Sequence, residues 1–102
     1  MNPPGEIKKG DHIAFRFPLD TPYFKKGDKF IKTVGCMPGD SLIVDNAKNY
    51  FCNDAWITTA KDTDVNGNPV VHFVYSGVVP EGEVFVFGTH PRSYDSKYWG
   101  FL

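Results

Sequence analysis

The stretch FIKTVGCMPGDSL, residues 30 to 42, reads as a strand that runs into a tight turn at Pro38, Gly39 and Asp40. Successive side chains in a strand alternate between faces, so Lys32 shares a face with Phe30 and Val34, while Ile31 and Thr33 point the other way. Neither face is plainly polar, and an ammonium group there needs a reason. One reason is protective, since edge strands often carry Lys against aggregation. The other is chemical. An amine among apolar side chains loses hydration of its charged form, its pKa falls, and the neutral amine can then take a proton from a serine hydroxyl. The residues alone leave both open.

Outward from this stretch, similar runs recur between turn signals. HIAFRF (12–17) and KFIKTVG (29–35) each follow a KKGD, SLIVD (41–45) follows PGD, and YFCNDAWITT (50–59) follows NAKN. PVVHFVY (69–75) follows NGN, and EVFVFG (83–88) follows VPEG. Each run is rich in β-branched and aromatic residues, and no segment shows the period of an amphipathic helix. The two KKGD segments read as one turn chemistry used twice, because their flanks do not match. TAKDTDVNGNP reads as an exposed hairpin tip or loop. The 102 residues suit one domain, and the sixteen ring-bearing Phe, Tyr and Trp residues with ten Gly and eight Pro favour an all-β one. The expected fold is therefore a single antiparallel β domain with a loop-rich C-terminal tail.

A formal net charge of −1 gives no pull toward nucleic acid or anionic lipid. No apolar run approaches the ~20 residues that cross a bilayer. Cys36 and Cys52 are too few for a zinc site, and no metal or other cofactor is expected. On composition they are equally two buried thiols or one disulfide. The tail GTHPRSYDSKYWGF, residues 88 to 101, sets polar residues between aromatic ones. It reads either as a surface loop turned by Ser93 and Asp95 and anchored by Tyr98 and Trp99, or as part of a site. His90, Ser93 and Asp95 offer the residue types of a catalytic triad, but stand too close in sequence for groups that normally converge from separate segments.

Taken together, FIKTVGCMPGD and GTHPRSYDSKYWGF resemble the lysine segment and C-terminal signature of the type I signal peptidases. KKGDHIAF resembles that family's earlier Gly-Asp strand, and VVPEGEVFVFG the strand that leads into the signature. The HPRSYDS wording is most similar to the conjugative-transfer (TraF-like) branch. The resemblance implies an all-β fold of the signal peptidase and LexA-like type over residues 1–102, and a Ser-Lys endopeptidase at the periplasmic face of the inner membrane. Its substrates would be leader peptides or pilin precursors, bound extended along exposed strand edges. It implies Lys32 as general base, Ser93 as the hydroxyl that orients it, and Asp95 paired with residue 97. Phe30 and Ile31 would lie beside the scissile peptide. The family commonly has Arg where this chain has Lys97, and Lys lacks the two-bond fork, so a looser or differently arranged brace is expected. A periplasmic site favours a Cys36–Cys52 bridge. The family's nucleophilic serine precedes a proline, whereas this chain opens MNPPG. The nucleophile and membrane anchor are therefore expected outside this sequence, and the chain alone is expected to be inactive. The alternatives are a nucleophile-less module that binds peptides or assembles with conjugation proteins and, further off, a self-cleaving repressor of the LexA type.

Overall fold

The computed structural model describes residues 7–90 and 93–102. Residues 1–5, on which the expected nucleophile pattern falls, and residues 91–92 of the C-terminal signature lie outside them. Two antiparallel sheets are built from seven strands. The first has the order β1-β2-β7, with β1 His12–Arg16, β2 Lys29–Cys36 and β7 Phe85–Phe87. The second has the order β5-β4-β3-β6, with β3 Ser41–Val44, β4 Asn49–Cys52, β5 Ala55–Thr59 and β6 Ser76–Val78. The all-β expectation holds.

Strand β2 sets the arrangement. Phe30 and Val34 are buried and Ile31 is exposed, as the alternation requires, and the strand then enters the interior with Val34, Gly35 and Cys36 all covered. The turn at Pro38, Gly39 and Asp40 carries the chain into the second sheet, with Gly39 at φ 87°, in the left-handed region that glycine favours. Cys36, Leu42, Tyr50, Cys52, Ala60, Val79 and Phe85 form the core. The Cys36–Cys52 disulfide is present and joins β2 of one sheet to β4 of the other.

Two expectations need correction. YFCNDAWITT is not one strand: Asn53 and Asp54 both take positive φ, 48° and 70°, and fold it into the β4–β5 hairpin. Asn and Asp tolerate that conformation better than other side chains, and a two-residue turn of this kind matches the twist of its strands. PVVHFVY joins no ladder over most of its length. Val70 N–H donates to Asp62 O, Phe73 N–H to Lys97 O, and Tyr75 O accepts from Val44 N–H, so its backbone partners come from three segments. Phe73 and Tyr75 pack on Phe101, whereas Val71 and Val74 stay exposed. The tail is loop-rich, as expected, and contains a single helical turn, α1 Ser96–Trp99. The TAKDTDVNGNP loop is closed by one bridge between Thr63 and Pro69.

Candidate active site

Lys32 lies in the middle of β2, paired with Ile13 of β1. On its face, the Phe30 ring sits in an aromatic cluster, stacked on Phe17 at 4.8 Å and meeting Phe15 and Phe24 edge-on. Trp99 of α1 packs edge-on against Phe15 and Phe17, and Tyr94 against Phe17. Tyr94 and Trp99 therefore fix the tail on the first sheet, while the Tyr98 hydroxyl accepts from Lys61 N–H. The Lys32 amine is half-buried above this cluster, 5.3 Å from the centre of the Phe30 ring.

The tail brings Ser93 to that amine. Lys32 Nζ donates to Ser93 Oγ at 2.5 Å, across sixty-one positions of sequence. The contact needs Gly88, because a Cβ there would stand 1.9 Å from Ser93 Oγ and 3.3 Å from Lys32 Nζ. No side chain other than hydrogen fits.

Behind this pair lies Asp95, fully buried as the N-cap of α1. Its carboxylate accepts from Gly88 N–H at 2.8 Å, Lys97 N–H at 3.0 Å and Lys97 Nζ at 2.8 Å. Lys97 is equally buried, so the brace is one charge-assisted bond plus two backbone donors rather than a guanidinium fork. Next to Lys97, the Ser96 hydroxyl accepts from Val86 N–H and pins α1 to β7. Beneath it the Tyr50 hydroxyl lies 2.6 Å from Phe73 O and 2.9 Å from Lys97 O, and burial, then the Asp95 charge, push its pKa up.

These surroundings tune the amine. Burial pulls the Lys32 pKa below its ordinary value; the Asp95 carboxylate pulls the other way, and Lys97 opposes Asp95. Desolvation is the largest of the three influences, and Lys97 partly offsets the upward pull of the carboxylate. Cys36, Asp40 and Cys52 also lie within 4.8 Å of one another, but the two sulfurs are spent on each other in the disulfide and offer no thiolate to a metal.

Residues 2–102 match the family described as signal peptidase, peptidase S26. The chain belongs to the signal peptidase family. The crystal structure of a signal peptidase I from Enterococcus faecalis is similar, with a TM-score of 0.59 and 26% identity, over 95% of this chain and 89% of that one. No curated protein matches the sequence at a significant level. Membership brings a serine-peptidase activity of the leader-peptidase type and a membrane-anchored setting. Among the described residues, no helix is long and apolar enough to cross a membrane.

The structure brings Lys32, Ser93, Asp95 and Lys97 into one cluster. It separates the other two site residues, since Phe30 is an interior ring and Ile31 is 66% exposed on the opposite face of β2. Gly88, Ser96 and Tyr50 were not legible as site residues. A glycine directly after the EVFVF run was the one available signal, since glycine at a strand end often marks close approach.

Proposed function

We propose that this domain is the catalytic part of a Ser-Lys leader peptidase, with Lys32 as general base and Ser93 as the group that positions it. The observation that carries the reading is the Lys32–Ser93 hydrogen bond on an amine whose pKa burial has lowered. The neutral amine takes the proton of an attacking serine hydroxyl and later gives it to the leaving amine, and in the second half-reaction it activates water. Ser93 aims the amine, and the Lys97–Asp95 pair holds the tail that carries Ser93.

Ser93 and Ser96 are engaged with Lys32 and Val86, and Ser41 and Ser76 belong to the second sheet. We therefore assign the nucleophile to a serine outside these residues, on a segment that reaches the Lys32 amine. The substrate adds as a strand to β2. The ladder to β7 begins at Thr33, so among the described residues the strand partners of 29–32 lie only on the β1 side, and a peptide that passes Ile31 adds to the other edge. The tail wording supports the conjugative-transfer branch, which places the domain at the periplasmic face with pilus-assembly precursors as substrates.

The test is cleavage of a leader-bearing precursor by the full-length gene product. Lys32→Ala is expected to lower turnover at least about a hundredfold while leaving peptide binding intact. Full activity in Lys32→Ala would refute the base assignment. The placement of the four serines also gives weight to a second reading, a nucleophile-less peptide-binding or assembly module. That reading predicts no cleavage by the full-length product, with peptide binding that is indifferent to Lys32→Ala.

A further inference from the structure

A substrate strand on the β2 edge opposite β1 cannot continue past Lys32 in a straight line. There β7 occupies the same edge, with Phe87 opposite Thr33, and Gly88 follows at once beside the Lys32 amine. The chain beyond the cut must therefore leave the sheet at Gly88. At that point a groove of about 420 Å³ opens between β5 and the end of β7, with Trp56 and Ile57 on one wall and Phe87, Gly88 and Thr89 on the other.

Thr58, Thr59, Lys61 and His90 also line the groove, and it is the Trp56 side that is suited to an apolar side chain. Trp56 is 60% exposed, yet its indole is fixed in place. Nε1–H donates to Thr59 Oγ1 at 2.9 Å, and that hydroxyl donates onward to Asn49 Oδ1 at 2.6 Å. The polar edge of the ring is thereby satisfied within β4 and β5, and what remains for a ligand is apolar face. A large aromatic surface already held in one orientation gives contact area at little ordering cost. The base of the two walls is also held, because bare Gly35 lets Phe87 and Ile57 close over it; a Cβ there would stand 2.8 Å from the Phe87 ring and 3.3 Å from Ile57.

The geometry points to this groove as the site for the residues just after the cleavage site, with an apolar or aromatic side chain packed on Trp56 within roughly the first four positions of the mature protein. This rests on the peptidase reading above, which lays the leader side of the substrate along residues 29–32. The leader side is read by the strand edge at Ile31, and the mature side by the β5–β7 groove.

The experiment uses two fluorescently labelled peptides and the 102-residue chain, with affinity read by anisotropy. One peptide ends in Ala-Ser-Ala; the other continues through Ala-Phe-Leu-Ser. The longer peptide is expected to bind about tenfold tighter, the change that 1.4 kcal/mol of contact produces. Trp56→Ala should abolish that gain and leave the short peptide unaffected, whereas Trp56→Phe should keep most of it. Equal affinity for the two peptides, or a gain that survives Trp56→Ala, overturns the groove assignment. If the short peptide still binds and is weakened by Ile31→Asp, the strand-edge reading stands without the groove. If neither peptide binds, both fall together.

Discussion

Lys32 is a strand residue whose charge is disfavoured by its position, and that has a thermodynamic signature independent of catalysis. Its folded pKa lies below the ordinary value of 10.5 because burial removes water from the ammonium. Between those two values the unfolded chain binds more protons than the folded one, so stability rises with pH in that window. The contribution is full above the unfolded value and is lost as pH falls through the folded value. Urea unfolding of wild type and Lys32→Met, compared across alkaline pH, is expected to show the wild type gaining on the variant in that window. A difference that does not vary with pH would show an amine of ordinary pKa. The same comparison separates the two sequence readings of this lysine, because a solvated edge guard has no reason to titrate early.

The C-terminal turn is held by one residue more than by its own helix. A single turn of α-helix has almost no intrinsic stability, since nucleation fixes several dihedrals for one hydrogen bond. Asp95 compensates, capping Lys97 N–H, accepting from Gly88 N–H and pairing with the Lys97 ammonium, all in a fully buried position. Asp95→Ala leaves that ammonium buried and unpaired, and is expected to cost about 3 to 5 kcal/mol in denaturant unfolding. It should also loosen the Lys32–Ser93 contact. A loss below about 1 kcal/mol would show that Lys97 finds water instead. This element was half legible: SYDSKYWG showed Asp95 as a turn former and Tyr98 and Trp99 as anchors, but a four-residue helix has no period to read. The β4–β5 hairpin was illegible for the opposite reason. Apolar and aromatic residues on both sides of Asn53 and Asp54 made one continuous run, and the signal lay only in two residues that accept positive φ.

At the scale of the whole molecule, the two sheets are tied covalently at one point, Cys36 to Cys52, sixteen positions apart. Closing a loop of that size contributes about 3 kcal/mol in the chain-entropy treatment. Unfolding with and without a reductant is expected to differ by that order, and Cys36→Ser with Cys52→Ser should reproduce the reduced value. No difference would mean that packing of Leu42, Tyr50, Val79 and Phe85 holds the sheets together unaided. The sequence by itself determined the all-β class, the face on which Lys32 lies and the lysine and tail segments, because alternation, turn residues and short motifs are local properties of a chain. Only the tertiary structure decided the rest. It put Phe30 inside and Ile31 outside, brought Ser93 across sixty-one positions onto Lys32 through the gap at Gly88, and opened the groove beside Trp56. Those outcomes depend on which strands pair, and pairing is set by the burial of the whole core rather than by any one segment.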